Sequence, residues 1–237
     1  MTPSADSEAA VSRSDAIVYV VDDDPAVRSS ICWLLESVSL PFAAFGSGQA
    51  FLEAYQPDRP SCLVLDVRMP GLSGIELQER LNSEGICLPI VFISGHGDVP
   101  IAVRAMRHGA IDFIEKPFDD KLLLERIESS LESSRAFIDA ERTRSVIRER
   151  MHRLSPREND VMWLVAAGLA NKAIAARLGL SPKTVEVHRA RVMDKMEANS
   201  LADLVRMCLS NDLRAMPQPM PRPSGVGDRT AWNRPGG

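Results

Sequence analysis

The chain has 237 residues, 45% hydrophobic and 25% charged, with a formal net charge of −4 at pH 7. That is the balance of an ordinary globular protein long enough for one large domain or two modest ones. No run approaches the roughly 18 apolar residues needed to span a bilayer, and the first sixteen residues lack the apolar core of a secretory signal, so a cytoplasmic protein without a membrane partner is expected. The four cysteines are scattered without a CxxC pair, and His96, His108, His152 and His188 have no metal-ligand spacing. Neither a zinc site nor a disulfide framework is indicated, and the thiols are expected to be reduced and mostly in cores. The charge is uneven. Residues 17–134 carry 9 Lys and Arg against 18 Asp and Glu, whereas residues 151–214 carry 10 against 7, so a divalent cation suits the first half and a polyanion the second.

After a polar lead over residues 1–15, expected to be disordered, short apolar runs alternate with helical patterns. Ile17–Val21, Phe42–Phe45, Cys62–Leu65, Ile90–Ile93 and Ile111–Glu115 are the strand candidates. Three of them are nearly continuous in apolar residues, as strands buried on both faces of a parallel sheet are. Helices are expected near 25–38, 47–55, 73–83 and 98–108, with another from about 119. Asp24 followed by Pro25, and Ser47, stand where caps and a first-turn proline belong. The pattern is (βα)5, an α/β doubly wound open sheet. Helical character persists to about residue 150, through the Arg-rich ERTRSVIRERMHR. Ser155-Pro156-Arg157-Glu158 then has capping-box spacing, and helices fit 156–167, 171–178, 182–196 and 200–210. The tail from Ala215 holds five prolines and four glycines in 23 residues, a composition of disorder.

Four polar signals fall at the carboxyl ends of four strands: Asp22 with Asp23, Asp66, Ser94 and Lys116. In an open parallel sheet those ends form one crevice. A strand-end Asp is ordinarily a turn residue, a lone Lys a surface charge and a Ser before Gly a loop residue; it is their convergence that carries chemistry. Three crowded carboxylates call for a hard cation such as Mg2+. Asp66 is then suited to attack a phosphoryl donor as a carboxylate nucleophile. Lys116 offsets charge on the group transferred, and the Ser94 hydroxyl donates to it. Asp24 is read only as a helix cap.

In the second half, Asn171–Leu178 presents Ile174, Ala175 and Leu178 as an apolar face, and Gly179 permits a sharp turn with Leu180 beneath it. The small residues Ala173, Ala175 and Ala176 suit a close helix crossing, and Ser181-Pro182 caps and starts the next helix. There Val185, Val192 and Met196 form an inward stripe. Lys183, Thr184, Glu186, Val187, His188, Arg189, Arg191 and Lys195 occupy the other faces, where they meet a major groove or form a solvated charged surface. Lys183, Arg191 and Lys195 suit phosphates; Glu186, Val187 and Arg189 suit base edges.

VVDDDP, LDVRMPGLSG, ISGHGD and DFIEKPF resemble the signature blocks of the response-regulator receiver family, in its FixJ-like branch. SPRE and GLANKAIAARLGLSPKTVEVHRARVMDKM resemble the LuxR/FixJ-type DNA-binding domain. Together the resemblances cover about residues 15–212. They imply a flavodoxin-like strand order 2-1-3-4-5, Asp66 as phosphoacceptor, and Asp22, Asp23 and the carbonyl of Arg68 as further metal ligands. They also imply a cis Lys116-Pro117 bond, Phe113 as a switch aromatic, and a last helix that supports dimerisation. Ser94 stands for the commoner threonine, Phe113 for tyrosine, and Glu186 for a cation often found there.

The implied organisation is a receiver over 16–134, a helical linker over 135–150, a helix-turn-helix domain over 151–214 with its motif at about 171–190, and a tail over 215–237. The implied function is transcription regulation switched by a sensor histidine kinase. Phosphorylation would pair receivers into a homodimer through Val99, Ala102, Val103 and Met106, placing two recognition helices on a double-stranded operator, with RNA polymerase a further partner. Two alternatives stand beside this reading. One is a phosphorylation-independent DNA-binding regulator. The other is a Mg2+-dependent aspartyl phosphatase, which needs a second Asp two residues after the nucleophile, where this chain has Arg68.

Overall fold

The computed structural model describes residues 15–57, 59–95 and 99–212. The tail, and all of the lead except Asp15, lie outside the described residues. In chain order the first elements are β1 (Ile17–Val21), α1 (Pro25–Ser37), β2 (Phe42–Phe45), α2 (Gly48–Ala54), β3 (Ser61–Asp66) and α3 (Gly74–Ser83). They are followed by β4 (Ile90–Ser94), α4 (Val99–Arg107), β5 (Asp112–Glu115) and α5 (Asp120–His152). The sheet runs β2-β1-β3-β4-β5, with every neighbouring pair parallel, the flavodoxin-like order.

An all-parallel sheet must be covered on both faces, and the two-residue period of its strands divides the cover. Val18, Val20, Cys62 and Val64 pack with Ile31 and Leu35 of α1 and with Leu123 and Ile127 of α5. Their chain neighbours Tyr19, Val21, Leu63 and Leu65 pack with Phe51 of α2, Leu77 and Leu81 of α3, and Ala105 of α4. Within that second layer Tyr19 meets Phe51 edge to face, ring centroids 5.3 Å apart. Helix starts follow their expected chemistry: Asp24 accepts from the Ala26 amide at 2.8 Å, and Ser47 caps α2.

The chain divides into two compact units between Ile138 and Asp139, inside α5. Residues 119–154 contain neither Gly nor Pro, so nothing in the sequence stops that helix early. The second unit also contains α6 (Pro156–Ala166), α7 (Asn171–Leu178), α8 (Pro182–Met196) and α9 (Leu201–Asp212). Its core is built from Val161, Met162, Ile174, Val185, Val192, Met196 and Leu204. Ile147 and Met151, from the last turns of α5, belong to the same core, so the end of the expected linker is packed rather than free. Gly179 closes α7 at φ +67°, a conformation that costs a glycine little. Ala173 and Ala176 are exposed and only Ala175 is buried, so the crossing of α7 rests on one small residue, not three. No helix among the described residues is long and apolar enough to cross a membrane.

Candidate functional site: an acidic pocket and an exposed recognition helix

The carboxyl ends of β1, β3, β4 and β5 deliver the expected residues to one crevice. Lys116 Nζ donates to Asp22 Oδ2 at 2.7 Å and to Asp66 Oδ1 at 2.6 Å. The remaining oxygens are held by the backbone, Asp22 Oδ1 by the Asp24 amide at 2.9 Å and Asp66 Oδ2 by the Arg68 amide at 2.8 Å. Asp22 is fully buried and Asp66 nearly so, while Asp23 and Arg68 are exposed at the rim. Ser94 is buried, and its carbonyl accepts from the Lys116 amide at 2.7 Å, next to the cis Lys116-Pro117 bond. Lys116 thus ties the acid pair to the end of β4.

Burial pushes the Asp22 carboxyl above its ordinary range, and the hydrogen bond from Lys116 only partly offsets this. Burial alone would draw the Lys116 ammonium down, but its bonds to Asp22 and Asp66 outweigh that and hold it above its ordinary value. Among the described residues no group of three or more His, Cys, Asp and Glu side chains is arranged to hold a metal ion, and the Lys116 ammonium bridges the two buried carboxylates. The donors nevertheless fit a hard cation. They are all oxygen, and a single ammonium faces two buried carboxylates.

Arg28 carried no recognisable signal in the sequence, and Gly74 stood there only as the last residue of the LDVRMPGLSG block. Arg28 of α1 donates from Nη1 to the carbonyls of Asp22 at 2.7 Å and Asp23 at 3.1 Å, holding the acidic loop from behind. Gly74 opens α3 against β3, where a Cβ would lie 2.2 Å from the Asp66 carbonyl oxygen.

Phe113 is half-buried in the layer under α2, α3 and α4, its ring 6.3 Å from that of Phe92. On α4, Val99 and Val103 are 69% and 45% exposed, enough to form an apolar stripe with the half-buried Ala102 and Met106.

On α8 the inward stripe of Val185, Val192 and Met196 is buried as expected. Lys183, Glu186, Val187 and Arg191 are exposed. Thr184 is half-buried and shares a 2.8 Å hydrogen bond with the Ser181 hydroxyl. Arg189 is half-buried and donates to Asn171 Oδ1 at 3.2 Å. His188 is also half-buried, with an Nδ1 that makes no hydrogen bond. Lys195 is turned to the interior of its own unit, donating to Glu158 Oε2 at 2.7 Å and to the Arg153 carbonyl at 3.1 Å.

Residues 18–128 match the family described as response regulator receiver domain, and residues 152–208 match the bacterial regulatory proteins of the luxR family. Nodulation protein W of Bradyrhizobium diazoefficiens is 51% identical over 192 residues, covering 81% of this chain and 85% of that protein. The transcriptional regulatory protein FixJ of Azorhizobium caulinodans is 50% identical over 192 residues, covering 81% and 91%. Among solved structures, the response regulator StyR matches with a TM-score of 0.74 at 44% identity, covering 82% of this chain and 98% of that one. The chain therefore belongs to the two-component response regulators and is a transcription regulator of the FixJ type, with a receiver domain followed by a DNA-binding domain of the luxR family.

Proposed function

We propose that Asp66 is the phosphoacceptor and that its phosphorylation by a sensor histidine kinase raises the affinity of the second unit for an operator. The observation that carries this reading is the junction of Lys116 with both Asp22 and Asp66, three residues from three different strand ends. A carboxylate oxygen of Asp66 forms a bond to phosphorus as the P–N bond of a phosphohistidine breaks, and the leaving imidazole keeps the electron pair. Lys116 holds the attacking carboxylate and balances charge on the transferred group. Asp22, Asp23, Asp66 and the Arg68 carbonyl would hold Mg2+, whose charge, when bound, would offset that of the carboxylates and the phosphoryl oxygens. With Arg68 two residues after Asp66, no neighbouring carboxylate is available there as acid or base, which supports a switch rather than a phosphatase.

In this reading the Ser94 hydroxyl turns to the acyl phosphate, and Phe113 follows it inward. The stripe of Val99, Ala102, Val103 and Met106 then pairs two receivers. The homodimer brings two copies of α8 to one double-stranded DNA site in the cytoplasm, where RNA polymerase is the further partner. Lys183 and Arg191 suit phosphate contacts, and Glu186, Val187 and Arg189 suit base edges, with Thr184 and His188 at the margin. Lys195 serves the fold before it serves DNA.

Intact mass after incubation with acetyl phosphate tests the core of this reading. The wild type is expected to gain one phosphoryl adduct only with Mg2+ present, and Asp66→Asn to gain none. A correctly folded wild type without an adduct would leave a phosphorylation-independent regulator.

A further inference from the structure

The C-terminal end of α8 is fastened from two sides to the segment where α5 ends. Arg150, in the last turn of α5, donates from Nη1 to the Met196 carbonyl at 3.2 Å and from Nη2 to Glu197 Oε2 at 2.5 Å. In return, Lys195 donates to the Arg153 carbonyl at 3.1 Å and to Glu158 Oε2 at 2.7 Å. Glu197 is the C-cap of α8 and lies in the left-handed region at φ +52°. Glycine adopts that conformation most readily, and it is the residue helices most often carry there. A glutamate therefore occupies this position against the preference of the backbone, and its carboxylate meets Arg150. The guanidinium is largely shielded, with 21% of its side-chain surface exposed, which strengthens its hold on the helix carbonyl.

We infer that Arg150 is a positioning residue for DNA binding, fixing the pose of α8 through Glu197 and the Met196 carbonyl without touching DNA. The inference rests on α8 being the DNA-reading helix. The carbonyls at the end of a helix are its negative pole, so one guanidinium there both satisfies an otherwise unpaired acceptor and sets the angle at which the helix leaves its support. A rotation of α8 about its C-terminal end moves the exposed residues of its first turns farthest, and those residues include Lys183, Glu186 and Val187.

The test uses the full-length protein after incubation with acetyl phosphate and Mg2+, and the duplex that the wild type so treated enriches from a randomised 30-base-pair pool, with a scrambled duplex of equal length as control. Arg150→Met and Glu197→Gly are each expected to lower affinity for the enriched duplex about tenfold, the scale of one lost base contact, while binding to the scrambled duplex is unchanged. The double variant should be no worse than Arg150→Met alone, since that substitution already removes the bonds to Glu197 and to the Met196 carbonyl. Glu197→Gly should melt at the same temperature as the wild type or higher, because glycine suits the left-handed cap; a merely structural contact would lower it. The slope of log affinity against log salt should stay constant, whereas a direct phosphate contact by Arg150 would reduce it by about 0.9. An unchanged ratio of enriched to scrambled affinity, an additive double variant or a reduced salt slope would each overturn the inference. A wild type that enriches no duplex would instead overturn the DNA-reading role of α8.

Discussion

Lys116 serves two buried carboxylates with one charge, and burial still pushes the Asp22 carboxyl above its ordinary value. A carboxyl whose folded pKa lies above its ordinary value of 3.8 binds protons more readily in the folded than in the unfolded state. Its ionisation therefore weakens the fold as pH rises through the folded value. Asp22→Asn is expected to unfold at higher urea than the wild type at pH 7, by about 0.5–2 kcal/mol, and to lose the Mg2+-dependent adduct at Asp66. The stability gain should disappear below pH 3.8, where both states of the wild type are protonated. A variant less stable at pH 7 would mean that the Lys116 bridge contributes more than burial of the carboxylate costs. Gly74 shows the same economy of space at the neighbouring strand, since nothing larger than hydrogen fits over the Asp66 carbonyl.

Among the elements, α6 begins with the capping box that Ser155 and Glu158 form reciprocally. The hydrogen bond from Lys195 and the Ser155 amide together hold the Glu158 carboxyl down at about 2, against an ordinary value of 4.5. The contribution of that charge to stability is thus fully present above pH 4.5 and lost as pH falls towards about 2. Glu158→Gln is expected to lower the melting transition of the second unit at pH 7, by about 1 kcal/mol for the weakened cap. Scanning calorimetry should find the two proteins converging as the pH approaches 2; a constant gap across the range would deny the charge any part. This capping box, the strands and their terminal acids were all legible in the sequence, because caps and period-two runs act over a few residues. The local signals shift boundaries by one or two residues at most, as in β3, which adds Ser61 and Asp66 to the expected run. What the sequence did not disclose are pairings across long separations: Arg150 with Glu197 and Lys195 with Glu158. Each depends on how helices cross, which no local pattern encodes. Ala173 and Ala176 mark the same limit, because small residues suit a crossing and an open surface equally.

For the whole molecule, the reading predicts an association controlled by phosphorylation. Val103, 45% exposed on α4, is an apolar residue that a charge would deny to a partner receiver. Val103→Arg is expected to acquire the adduct at Asp66 as the wild type does but to remain a monomer by light scattering, where the phosphorylated wild type doubles its mass. Doubling by both proteins would move the dimer contact away from this stripe. The sheet itself has a wider consequence. Because neighbours along each strand enter opposite layers, the layer of α1 and α5 shares almost no side chains with the layer of α2, α3, α4 and Phe113. The sheet acts as a bulkhead. Changes that tighten the α1 side can accumulate without stiffening the compartment that holds Phe113, so under the proposed switch this receiver is free to drift in robustness and in responsiveness separately.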